Sequence, residues 1–154
     1  MELNTNIFVP AYDKIIEIHK SFLPFPDVLE ALHALKNKGY ELAVMSNSTK
    51  QIMQCNLEKL DNIFDDSLVA DETECYKPDL NFFRMAEQKF SLHEKEHCHI
   101  AKGYWWDIVP ATKMGWKKIW VNRLNLTSGR SVENPYITVS SLKDLPQLNG
   151  PLPR

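Results

Sequence analysis

From residue 27 onward the chain alternates helical and strand-like segments joined by short connections. That alternation limits its fold more than any other feature. Parallel strands must be joined by crossovers, usually helices, so a strand–helix succession leads to a parallel sheet covered on both faces. Residues 27–38 place Val28, Ala31, Leu32 and Leu35 at i, i+3, i+4 and i+7, the apolar face of an amphipathic helix. Gly39 follows as its stop, because glycine enters the left-handed region without steric cost. Residues 41–46 then read as a buried strand, and 49–60 as a helix with Met53, Leu57 and Leu60 inward. Residues 67–70 predict a short strand, and 79–90 a helix burying Phe82, Phe83, Ala86 and Phe90. Residues 97–101 read as a strand, and 107–114 as a helix ended by Gly115. Strands at 118–121 and 136–139 and a helical turn at 141–145 complete the series. The pattern predicts an α/β fold over residues 25–154, a three-layer sandwich around a Rossmann-like, mostly parallel sheet.

Residues 1–24 form a separate N-terminal segment. Ile15, Ile16, Ile18, His19 and Phe22 predict an amphipathic helix over 12–22, broken by Leu23-Pro24-Phe25-Pro26. Ahead of it, Ile7-Phe8-Val9 is a brief apolar run stopped by Pro10, either a strand or a hydrophobic anchor. Composition narrows the partners. With 18 basic and 20 acidic residues the net charge is −2, which argues against a general binder of nucleic acid or anionic membrane. Cys55, Cys75 and Cys98 are odd in number, far apart and without a CxxC pair, which argues against a disulfide framework or zinc ribbon. No signal-peptide start and no apolar run near the ~20 residues of a membrane span is found, so the cytoplasm is the expected setting.

In open α/β sheets, ligands bind beyond the carboxyl ends of the strands. Three segments fall there. Ser46 ends a strand, and its hydroxyl with the amides of Asn47 and Ser48 could hold an anionic oxygen at a helix N-terminus; the alternative is that Ser46–Ser48 caps that helix. Lys77, held ahead of a helix by Pro78, offers a fixed positive charge, or is an ordinary surface lysine. Asp107 could orient Lys77 or a water, and could equally cap the helix that follows. Tyr104, Trp105 and Trp106 either wall a pocket or form a packing patch. His97 and His99 share one strand face while Cys98 faces the other, so the three do not converge on a metal.

Together these segments resemble the haloacid dehalogenase superfamily. Leu42-Ala43-Val44-Met45-Ser46-Asn47 is similar to its motif II, and Tyr76-Lys77-Pro78-Asp79, followed by Phe82-Phe83, to its motif III. His99-Ile100-Ala101-Lys102-Gly103-Tyr104-Trp105-Trp106-Asp107, running on to Ile119-Trp120-Val121, is similar to motif IV and its following strand. Phe25-Pro26-Asp27-Val28 ahead of motif II also fits, and the likeness spans about residues 23–145. It leans to the L-2-haloacid dehalogenase branch, with most of the cap absent. The resemblance implies a hydrolase of small anionic molecules, with Ser46, Lys77 and Asp107 catalytic and Asn47, Ser48, Lys102 and Tyr104 binding substrate.

The superfamily's nucleophile, the first aspartate of motif I, has no counterpart. Aligning Ile7-Phe8-Val9 with the motif I strand puts Pro10 at the nucleophile position; alternatively 12–22 is the last cap helix and the segment lies upstream. The expectation is therefore a hydrolase-like domain without turnover. Its alternatives are a hydrolase completed by an upstream segment or partner chain, and a non-catalytic module whose Trp-rich surface binds protein. No cofactor is expected: where the phosphatases carry Gly-Asp, this chain has Ala101-Lys102, and lysine cannot ligate Mg²⁺, so magnesium belongs only to a completed phosphatase-type site. Without motif I a strand position in mid-sheet lacks its occupant. Residues 6–9 or a second chain, as in a homodimer, are expected to fill it.

Overall fold

The structure is a computed structural model that describes residues 5–93, 96–127 and 129–148. Helix α1 (Thr5–Ser21) comes first, followed by α2 (Val28–Asn37). The run β1 (Ala43–Ser46), α3 (Lys50–Glu58), β2 (Asp66–Val69), α4 (Ala70–Thr73) and α5 (Leu80–Lys89) leads to β3 (His99–Ala101). One π-helical turn (Tyr104–Ile108) runs into α6 (Val109–Lys113), β4 (Lys118–Val121) and β5 (Ile137–Val139). A 3₁₀ turn over Leu142–Gln147 closes the described chain.

Every strand pairing is parallel. The strands nevertheless form two sheets among the described residues, β1–β2 and β3–β4–β5. β4 has neighbours on both sides, and all four of its residues are buried. β1 and β3 each have one partner, and neither holds a fully buried residue; Ile100, in the middle of β3, is 37% exposed. The expected alternation of helices with parallel strands is present, and the break falls between the strands ending at Ser46 and Ala101, which do not pair.

Residues 6–9 do not fill that break. They lie inside α1, which corrects the expectation of a strand or a filling segment there. Three residues can make few ladder bonds, whereas extending an existing helix adds bonds locally, save at the Asn6 carbonyl, which finds no N–H on Pro10. The helix beginning near Tyr12 therefore propagates back through this run. Its C-terminal end is tied to the domain by Lys59, whose ammonium donates to the carbonyls of Lys20 and Phe22, the latter at 2.8 Å.

Two of the apolar clusters join helices to strands. Phe82, Phe83 and Ala86 of α5 meet Leu68 of β2, Ala111 of α6 and Trp116. Leu35 of α2 meets Ile119 and Val121 of β4, Val139 of β5 and Leu145. At roughly 1.5–3 kcal/mol per fully buried large apolar side chain, Phe82, Phe83 and Ile119 are among the main contributors to stability. Asp27 then joins the start of α2 to the 3₁₀ turn over Leu142–Gln147. Its carboxylate accepts from Arg123 at 2.9 Å, from the Ser141 hydroxyl at 2.7 Å and from the Leu142 amide at 2.8 Å.

Candidate functional site

β1 ends at Ser46, and the chain turns at once. The Ser46 hydroxyl donates to Ser48 Oγ at 2.9 Å and accepts from the Ser48 amide at 3.1 Å. Neither serine caps α3. That role belongs to Thr49, whose hydroxyl accepts from the Ile52 amide at 3.4 Å, and to Asp71, whose carboxylate accepts from the Lys50 amide at 2.8 Å. The alternative of Ser46–Ser48 as the helix cap is thereby set aside. Asn47 has a different task. Its side-chain amide donates to the Lys77 carbonyl at 3.0 Å, and its oxygen accepts from the Lys77 amide at 2.7 Å. This two-way clamp fixes the Lys77 backbone to the end of β1.

From that anchor the Lys77 side chain runs inward and is only 12% exposed, so it is not a surface lysine. Its ammonium donates to the Met45 carbonyl of β1 at 3.1 Å and to Asp107 Oδ1 at 2.6 Å. Lys77 thus joins the first sheet to the turn that follows β3. Asp107 reaches it because the chain after β3 closes a π turn, in which the Ile108 amide donates five residues back to the Gly103 carbonyl at 3.2 Å. The wider turn has a local cause. Pro110 has no N–H, and its ring would clash with the carbonyl of residue 106 in α register. Asp107 makes no capping bond to either helical segment.

A residue outside the expected set completes this cluster. His99 Nε2 lies 3.3 Å from the same Asp107 Oδ1. Its ring is held edge-on against Phe83 and Trp116, each 5.8 Å away between centroids. Burial alone would push the Asp107 carboxyl up, but the His99 hydrogen bond and the Lys77 charge outweigh it and hold the group below the usual carboxylate range. The sequence put His99 on one strand face; only the π turn brings a carboxylate to that face. Cys98, on the other face, lies apart, and burial pushes its thiol up to about 12.

The remaining candidates separate. Lys102 is exposed, and its carbonyl accepts from Trp120 Nε1 at 3.1 Å. Tyr104 is buried away from Lys77. Its ring meets Trp120 and Tyr136, and its hydroxyl donates to Glu133 at 3.0 Å. Burial raises the Tyr104 phenol to about 12. Trp105 and Trp106 are half exposed, and the Arg130 guanidinium sits 4.7 Å over the Trp105 ring. Magnesium does not fit these residues. It requires several oxygen donors, and among the described residues the one carboxylate at the Lys77 cluster is already spanned by an ammonium and an imidazole. No group of three His, Cys, Asp or Glu side chains converges among the described residues. None of their helices is long and apolar enough to cross a membrane.

Comparison with known proteins gives this arrangement a context. A family model for haloacid dehalogenase-like hydrolases matches residues 1–121. (S)-2-haloacid dehalogenase 4A of Burkholderia cepacia is 32% identical over 113 residues, which cover 72% of this chain and 48% of that protein. A glyceraldehyde 3-phosphate phosphatase of Methanothermobacter thermautotrophicus is 30% identical over 128 residues, covering 81% of this chain and 57% of the phosphatase. Among solved structures, the crystal structure of a dehalogenase superposes with a TM-score of 0.80 at 29% identity, over 88% of this chain and 61% of the other. The chain therefore spans about half the length of the curated relatives it matches.

Proposed function

The chain belongs to the haloacid dehalogenase-like hydrolase family, and from that premise we propose that it carries the anion-holding part of a hydrolase site for small anionic substrates and does not turn them over alone. The observation that carries the proposal is Lys77, a nearly buried ammonium fixed between the end of β1 and Asp107. A cation held at the carboxyl ends of parallel strands suits a carboxylate or phosphate oxygen. The dehalogenase relatives make 2-haloacids the first substrate class to try, and the phosphatase relative makes phosphate esters the second.

Attack through a covalent ester needs a free carboxylate nucleophile. Among the described residues, Asp107 is the carboxylate bonded to Lys77, and it is engaged by two cationic or donor groups rather than free to attack. In this role Lys77 holds the anion, Asp107 aims Lys77, Asn47 fixes its backbone, and Ser46 and Ser48 offer hydroxyls at the strand end. Tyr104, through its bonds to Glu133 and the Arg130 backbone, supports the turn that carries Asp107.

Sulfate is a suitable probe because it stays doubly charged across the working pH range. It should raise the Tm of the pure chain, and Lys77→Met should remove the rise, while 2-chloropropionate and p-nitrophenyl phosphate stay unhydrolysed. Turnover of either compound would overturn the inactive reading. Failure of every small anion to stabilise the chain would overturn the site itself. The split of the parallel strands favours a second reading, in which an extended segment seated beside β1 and β3 completes an active hydrolase. That segment would come from the same polypeptide beyond these residues or from a partner chain, and its addition would restore turnover.

A further inference from the structure

Resting on the Lys77 anion site proposed above, we infer that His99 is a positioning residue that sets the charge of that site by sharing the Asp107 carboxylate with Lys77. Both groups meet one oxygen, Asp107 Oδ1, His99 at 3.3 Å and Lys77 at 2.6 Å. His99 and Asp107 side chains are 11% and 8% exposed, so water screens the contact little. The imidazole is also boxed in by Phe83 and Trp116, which keeps Nε2 on the carboxylate. A carboxylate accepts only, so Nε2 must carry a proton there in either charge state of the ring.

The arithmetic then turns on the second ring proton. With neutral His99, the ammonium and the carboxylate cancel. With the imidazolium, Asp107 is balanced twice over and the cluster carries one net positive charge. An anion at Lys77 therefore gains attraction when His99 is protonated. The other groups around the ring do not duplicate this switch. His97, two residues ahead, has its ring edge-on to Trp116 at 5.1 Å. The α5 residue Glu87 accepts from the Trp116 indole at 3.3 Å. Lys118, the β4 register partner of His99, sends its ammonium to the Pro135 carbonyl.

Coupling of this kind is reciprocal, so protonation should tighten the anion and the anion should favour protonation by the same factor. Two measurements on the full chain test it, with sodium sulfate as the probe. The His99 ring signal, assigned by its loss in His99→Gln, is titrated by NMR in the wild type and in Asp107→Asn, with and without sulfate. Sulfate affinity is measured near pH 5.5 and pH 8 for the wild type and His99→Gln. The expected result is that Asp107→Asn lowers the His99 midpoint, that sulfate raises it in the wild type, and that wild-type affinity is roughly tenfold tighter at the lower pH, at the modest end of measured site-to-site couplings. His99→Gln, which keeps a donor for Asp107, should bind sulfate with little change between the two pH values. An unchanged midpoint in Asp107→Asn, or the same pH dependence in His99→Gln as in the wild type, overturns the inference. Sulfate binding that is lost in Lys77→Met but flat with pH removes only His99's role. No sulfate binding at either pH removes the anion site itself.

Discussion

At the scale of single residues, the sharpest contrast is between two hydrogen-bonded aspartates with different tasks, Asp107 buried and Asp27 half-buried. Asp27 accepts from Arg123, the Ser141 hydroxyl and the Leu142 amide, and these bonds tie the first helix of the core to its last turn. Burial pushes its carboxyl up, yet the three donors prevail and hold it well below the usual carboxylate range. A depressed carboxyl contributes stability that is present above its unfolded-state value, near 4, and is lost as pH falls through the folded value. Acid unfolding of the wild type should therefore steepen below about pH 4. Asp27→Asn should cost about 2–4 kcal/mol at neutral pH and flatten that slope. Denaturant melts from neutral to acid pH measure both, and an unchanged slope would remove Asp27 from the account. The sequence placed Asp27 in the right helix start and Lys77 and Asp107 at strand ends, because their spacing follows the strand–helix repeat. It did not pair His99 with Asp107, since that contact depends on a π turn and not on any periodicity.

At the scale of elements, that turn rests on a close approach. A Cβ on Gly103 would run into the Asp107 carboxylate and the Trp106 ring. Trp106 is exposed and can swing aside, but Asp107 is held by Lys77 and His99. Gly103→Ala should therefore cost about 1–3 kcal/mol, as overpacking does, and weaken sulfate binding by moving Asp107 off Lys77. Gly39→Ala makes the useful control. Gly39 has φ +86° with open space around its Cβ, so its cost is backbone strain alone and sulfate binding should be untouched. Chemical denaturation and sulfate titration of the two variants decide the matter; equal sulfate affinity in both would show that Gly103 does not set the site. Elements with a strong repeat, such as α2, α5 and β4, stand close to where the sequence puts them. Residues 6–9 do not, because three apolar residues fit either a strand or the start of a helix and only the neighbouring turns decide.

At the scale of the whole molecule, the question is what lies beside β1 and β3. A sheet edge inside an α/β layer exposes unpaired backbone and apolar side chains, and proteins seldom leave one bare. β4 and β3 provide an internal comparison, because they are neighbours in one sheet with different surroundings. Ile119 of β4 is 2% exposed, while its register partner Ile100 of β3 is 37% exposed. Large-to-small substitution costs what the removed atoms lose on leaving a packed environment. Ile119→Ala should therefore destabilise the chain by about 3–4 kcal/mol and Ile100→Ala by about 1 kcal/mol or less, if β3 stands at an open edge in solution. Occupation by a second copy would change this in a recognisable way. The cost of Ile100→Ala would rise with protein concentration, since a partner that binds only the folded chain stabilises it by mass action. Denaturation at low and high protein concentration separates the two outcomes. A cost near that of Ile119→Ala at every concentration would mean that the edge is already covered within a single chain, and the completed-hydrolase reading would lose the strand position on which it depends.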